Sequence, residues 1–146
     1  MNKKLKYLIL FAIVAIIIAV GVTLYMFNKP HRNIANEKAD YTISAAAMVA
    51  EYIDDETSSD TKYLDKVISI EGELIDKEVK ESGSVVLLFI DNYEGLCATF
   101  DSSYVSNNPD LINSILPGNS IKVKGKCDGF LMLQGVMLNK CVLIED

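Results

Sequence analysis

Thr61–Leu74, TKYLDKVISIEGEL, is the stretch on which the fold turns. From Ile68 it has period two: Ile68, Ile70 and Leu74 share one face with Gly72 among them, while Ser69, Glu71 and Glu73 share the other. Side chains of a strand alternate between faces, so the pattern predicts a β-strand with one buried side. A glycine among the inward positions predicts a bulge or sharp bend, the device by which a small barrel turns a long first strand from one side to the other. The strand is expected to continue to about Lys80.

Working outward, SVVLLFID after the ESG turn is β-branched and apolar on both faces and predicts a second strand covered on both sides. LCATF, after NYEG, predicts a third. NNPDLINSIL reads as a helix with Asn108 as cap and Pro109 in its first position, stopped by Pro117 and Gly118. SIKVKGKC sets Ile121, Val123 and Gly125 against Lys122, Lys124 and Lys126 as a fourth strand. The loop DGFLMLQ, with a hairpin turn near Gly129, then leads to a fifth, GVMLNKCVLIE. Upstream, YTISAAAMVAEYIDDE places Ile43, Ala46, Ala47, Ala50 and Ile53 at helical spacing, with Thr42 or Ser44 as N-cap. This predicts an amphipathic helix that packs its alanine-rich face across one end of a barrel. The polar run TSSDTK is expected to be a connection. Five strands with a helix between the third and fourth is the order of the OB-fold, a partly open Greek-key barrel.

Tyr7–Phe27 runs 21 residues without a charge, enough as a helix at ~1.5 Å per residue to cross a ~30 Å hydrocarbon core. Residues 1–28 are therefore expected to be a transmembrane anchor, residues 29–40 a polar linker and residues 41–146 the barrel with its preceding helix. Lys3, Lys4 and Lys6 before the span predict a cytoplasmic N-terminus and an extracytoplasmic domain, although Lys29 and Arg32 beyond it reduce the contrast. Ala19 and Gly21 offer a small-x-small cleavage site, but the apolar run continues past it. From Asp40 onward eight Lys+Arg face nineteen Asp+Glu, a net charge of −11. Such a surface repels phosphate backbones and disfavours nonspecific nucleic-acid binding.

A short helix, then Tyr63 and Lys66 ahead of the alternating strand that ends at Gly72, then Gly118 before Val123, Gly125, Cys127 and Gly129, and a closing Cys141–Val142 pair make up a pattern over about Ser44–Ile144. It resembles the tRNA_anti-like family of OB-fold proteins, small bacterial envelope proteins with an N-terminal anchor or signal. The resemblance implies the fold, and its name records similarity to anticodon-binding domains. The basic and aromatic residues with which related readers of nucleic acid meet their ligand are few on these strands.

Single-stranded nucleic-acid binders combine a positive groove with aromatic stacking platforms. Lys122, Lys124 and Lys126 are the candidate row, with Tyr93, Phe89, Phe100 and Phe130 as candidate platforms, although alternating lysines also serve as a solvated face that discourages edge pairing. His31, the only histidine, lies in the linker, so no Ser-His-Asp or Cys-His arrangement can form within the domain and no enzymatic activity or cofactor is expected. Asp54, Asp55, Glu56 and Asp60 match no EF-hand spacing. Cys97, Cys127 and Cys141 lack metal-ligand spacing; a Cys127–Cys141 disulfide and independent buried thiols both remain open. The sequence thus points to a membrane-anchored OB-fold binding module of the cell envelope. Its partner is expected to be another envelope protein, a glycan or a small ligand, met through loop residues Tyr93, Phe130 and Gln134. Single-stranded oligonucleotide binding through the lysine row is the alternative.

Overall fold

The computed structural model describes residues 3–27, 33–90 and 95–144, in two compact units that divide between Arg32 and Asn33. The first unit is helix α1 (Lys3–Phe27). Lys4–Met26 has the length and composition to cross a membrane. Its described side chains are exposed, a surface that water disfavours and hydrocarbon accepts.

In the second unit strand β2 (Val67–Val79) is the long strand read from the sequence. It pairs antiparallel with β5 (Ser120–Leu131) along Val67–Glu73, then with β3 (Val85–Phe89) along Leu74–Val79. The change of partner comes where the bend was expected. The register slips between Leu74 and Asp76, and Gly72 lies so close to α2 (Ala45–Asp54) that a Cβ there would stand 2.9 Å from that of Ala45. Strand β3 pairs with β4 (Leu96–Phe100), β4 runs parallel to β6 (Gly135–Leu143), and β6 returns antiparallel to β5. The order β2-β3-β4-β6-β5, closed by the β2–β5 ladder, is a five-stranded barrel. Inward positions Ile68, Ile70, Leu74, Leu87, Phe89, Leu96, Phe100, Val123 and Leu138 fill it.

Several local expectations are corrected. Tyr41–Ser44 is a short strand, β1, laid parallel on β2, so the helix starts only at Ala45, with the Ser44 hydroxyl accepting from the Ala47 amide. That helix buries Ala45, Met48, Val49 and Tyr52, and leaves the alanine face of Ala46, Ala47 and Ala50 exposed. Two stripes compete on α2, and burial grows with apolar area, so the stripe with larger side chains turns inward. The TSSDTK connection is instead part of helix α3 (Glu56–Tyr63), started by the Asp55 carboxylate, which accepts from the Ser58 amide. Between β4 and β5 stand two short helices, α4 (Ser102–Asn107) and α5 (Pro109–Ser114). Asn108 at their junction makes no side-chain cap and donates from Nδ2 back to the Tyr104 carbonyl. Lys77 closes the far end of α5 by donating to the carbonyls of Ile112 and Ile115. No hairpin turns at Gly129: with φ of +88° it sits at a bulge inside β5, which continues to Leu131.

Residues 33–40, expected as linker, belong to the barrel unit. Ile34 is buried, the Asp40 amide donates to the Val67 carbonyl, and Asp40 Oδ2 accepts from the Val67 amide. This docking explains why β2 begins with four buried residues in a row, Val67–Ile70, and not with the one-sided burial the alternation predicts.

Candidate binding face

Alternation along β3 and β4 turns Val85, Leu87, Phe89, Leu96, Ala98 and Phe100 inward, so Val86, Leu88, Cys97 and Thr99 form the outer face. Ladder register sets Val86 opposite Thr99, Leu88 opposite Cys97, and Cys97 beside Met137 of β6. All five are half-buried. The face is therefore mostly apolar, and carries no aromatic ring or charge at these positions. Two turns flank it. In one, Lys80 and Ser84 close the β2–β3 hairpin; in the other, the Gln134 amide donates to the Leu131 carbonyl. Gln134 is exposed, and its carbonyl accepts from the Cys97 thiol at 3.5 Å, which ties this turn to the face. Burial pushes the Cys97 thiol pKa up.

Tyr93 lies outside the described residues. Phe130 is half-buried and stacks on Tyr52 of α2, with ring centroids 6.3 Å apart. Tyr52 in turn stacks on Tyr63 and donates to Asp60, with Cys127 Sγ 3.5 Å from its hydroxyl. Phe130 is thus part of a packed aromatic cluster beneath the helices and does not offer a free ring to a base. Gln134 and Phe130 share one hairpin, but only Gln134 reaches the outer face.

The three lysines do alternate outward along β5, and each is engaged. Lys122 lies 4.0 Å from Glu71. Lys124 donates to the carbonyls of Ala35 and Glu37, clamping the segment before β1 to the barrel. Lys126 sits between Asp65 at 2.9 Å and Asp128 at 2.7 Å, and those carboxylates raise its pKa, Asp128 first. A phosphate would have to displace these acceptors, and the row is not an open cationic track.

Cys127 and Cys141 are free, buried thiols, and burial raises the pKa of both. Cys127 stands opposite Leu138, whereas Cys141 Sγ faces Gly125. Among the described residues no group of three or more His, Cys, Asp or Glu is placed to hold a metal ion.

Two features had no signal in the sequence. A groove of about 530 Å³ runs between α5 and the start of β5, lined by Leu111, Ile115, Asn119, Ile121 and Lys122 among others. Glu51, Lys62, Tyr63 and Tyr41 form a surface cluster: Lys62 Nζ and the Tyr63 hydroxyl both donate to Glu51 at 2.8 Å, and Lys62 lies 4.5 Å above the Tyr63 ring. The Lys62 bond, then that of Tyr63, holds the Glu51 carboxyl below its ordinary value. The groove depends on segments far apart in the chain, from Glu71 to Ile144, and the cluster on the packing of α2 against α3.

A closed five-stranded barrel with a parallel β4–β6 pair and helices inserted between β4 and β5 makes this an OB-fold protein. The tRNA_anti-like family model matches residues 1–142, almost the whole length, so the chain belongs to that family. Among solved structures it is similar to a lipoprotein from Klebsiella pneumoniae with a proposed nucleic acid-binding role, at 13% identity and a TM-score of 0.57, covering 81% of this chain and 100% of that one. It is more distantly similar to the asparaginyl-tRNA synthetase of Entamoeba histolytica, at 8% identity and a TM-score of 0.42, where it spans 56% of itself and 21% of the synthetase. The Stn1-Ten1 complex of S. pombe matches at 21% identity and a TM-score of 0.37, over 55% of this chain and 59% of that one. No curated protein matches the sequence.

Proposed function

We propose that the protein is a membrane-anchored, non-enzymatic binding module of the cell envelope, with its N-terminus in the cytoplasm and its barrel outside. The outer face of β3, β4 and β6, with Gln134 at its rim, takes another envelope protein. The observation that carries this reading is the chemistry of that face: Val86, Leu88, Cys97, Thr99 and Met137 offer apolar contact, Lys80 beside Cys97 is paired with Glu78 at 2.7 Å, and every lysine of β5 is already engaged. An oligonucleotide needs free positive charge and stacking rings. A glycan commonly uses an aromatic platform, and Phe130, a loop ring expected to serve as one, is packed on Tyr52. A protein surface needs neither.

The second reading is single-stranded nucleic acid; the Klebsiella neighbour is described as nucleic acid-binding, but at 13% identity that likeness speaks for the fold alone. Fluorescence anisotropy separates the two. Residues 33–146 form a unit with their own core, and this fragment is titrated against labelled single-stranded DNA and RNA at low and moderate salt. No binding at low salt is expected; affinity that falls steeply with salt would overturn the proposal. In the full-length protein in its native membrane, a photo-crosslinking residue at Thr99 is expected to give a discrete protein adduct that the same residue at Asn113 of α5 does not.

A further inference from the structure

The β5–β6 turn carries Leu131, Met132 and Leu133 with 50%, 87% and 76% of their surfaces exposed, the largest run of exposed large apolar side chains among the described residues of the barrel unit. Two observations set it apart from ordinary surface hydrophobics. Leu133 has φ of +75° at the third position of the turn closed by the Gln134–Leu131 hydrogen bond, a conformation that favours Gly or Asn. A bulky leucine is thus kept where local geometry disfavours it and where it buries nothing within the barrel. The tip is also devoid of charge: no Asp, Glu, Lys or Arg lies between Asp128 and Lys140, in a domain of net charge −11.

The chain itself limits where the barrel can be. Helix α1 ends at Phe27 and the barrel unit begins at Asn33, a connection that spans about 20 Å when fully extended. A domain of this length has a radius of gyration of about 13 Å, comparable to that reach. If α1 spans the membrane, that connection keeps Asn33 within about 20 Å of the bilayer and holds the barrel's apolar surface at a high effective concentration near lipid. We propose that the tip of the β5–β6 hairpin, Leu131–Leu133, inserts into the bilayer interface as a second membrane contact. The inference rests on the anchor assigned under the proposed function. Its driving force is apolar: an acidic domain is repelled by anionic headgroups, so the contact is strongest on zwitterionic lipid and is not strengthened by lowering the salt.

The chain contains no Trp, so Met132→Trp introduces a single reporter, with Ser82→Trp on the β2–β3 turn as the control. Each full-length variant is reconstituted into phosphatidylcholine vesicles with or without brominated acyl chains. Flotation with the vesicles tests the anchor by itself, and a chain that fails to float removes both readings. In floated protein, the tip reporter is expected to emit at shorter wavelength than the control and to lose at least half its intensity to brominated lipid, while the control loses little. Adding Leu133→Asn, which suits the positive φ, should leave the melting temperature unchanged or raised and still reduce the bromine quenching. A tip reporter that floats but is quenched by aqueous acrylamide as fully as the control overturns the proposal. So does one shielded from acrylamide yet untouched by bromine, which would mean that protein covers the tip.

Discussion

Replacing Gly125 with alanine tests the packing of the barrel where β5 crosses the bulge of β6. Gly125 points inward on β5 between Val123 and Cys127, opposite a stretch of β6 where the register slips and Lys140 adopts φ of +52°. That bulge aims Cys141 at Gly125, so that a Cβ on residue 125 would stand 2.5 Å from Cys141 Sγ and 3.3 Å from both the Asn139 carbonyl oxygen and Leu138 Cβ. Ordinary contacts between such atoms begin at roughly 3.5 Å, so the sulfur must move by about 1 Å in a core without room for it. Gly125→Ala should cost about 1–3 kcal/mol, the usual range for overpacking. Cys141→Ala alone removes one buried atom and should cost roughly 0.5–1.5 kcal/mol, as other small deletions do. In the double variant the new methyl group occupies space left by the sulfur, and the two changes should cost less together than separately, by about 0.5–2 kcal/mol. Rescue is incomplete because the carbonyl of Asn139 remains close. Urea unfolding of residues 33–146 followed by circular dichroism gives the four free energies, with an unchanged m-value as the check that each variant unfolds from the same compact state. Additivity within about 0.5 kcal/mol would refute the reasoning, since it would mean that the glycine and the sulfur do not share one space.

Glu51 gives a pH-dependent test. Its folded pKa lies below the ordinary value of 4.5, so the stability its charge contributes is present above that value and is lost as pH falls through the folded one. The wild type should therefore exceed Glu51→Gln in stability at pH 7 by the small amount typical of exposed pairs, and the difference should shrink at pH 3; a difference independent of pH would rule out the ionic contribution. Thiol titration tests the cysteines. Half-buried Cys97 should react slowly in the native protein, Cys127 and Cys141 should stay silent, and all three should react after denaturation; a single reactive thiol in the denatured, unreduced chain would show that two of the three are bonded to each other.

The barrel was legible because its strands are largely buried on one side only, and one-sided burial leaves a period of two in the sequence. Gly72 announced the change of partner along β2, and the alternation of Lys122, Lys124 and Lys126 correctly set them outward. What failed was information held by other parts of the chain. Helix α3 is polar throughout and buries only Ser59 and Tyr63; its existence depends on the Asp55 cap and on the barrel wall behind it. The β5–β6 turn was misplaced because Gly129, the residue with turn chemistry, serves a bulge, while the turn itself is made by Met132 and Leu133, which have none. Ile34 and its neighbours read as linker because eight polar-leaning residues have no period, yet one buried isoleucine, the carbonyls of Ala35 and Glu37 and the Asp40–Val67 hydrogen bonds dock them.

That docking also bears on function. Periodicity assigns a lysine to a face, but the net charge of the face depends on what the rest of the chain brings to it. Here the answering groups come from four places: Glu71 from β2, Asp65 from the α3–β2 junction, Asp128 from β5 itself, and the carbonyls of Ala35 and Glu37 from the segment before β1. Lys124 therefore serves the attachment of the N-terminal segment, and a ligand that recruited it would have to release residues 35–37 from the barrel. An OB-fold that bound nucleic acid through this strand would keep those acceptors away from it. Placing them there is what turns the proposed function away from β5 and toward the outer face of β3, β4 and β6.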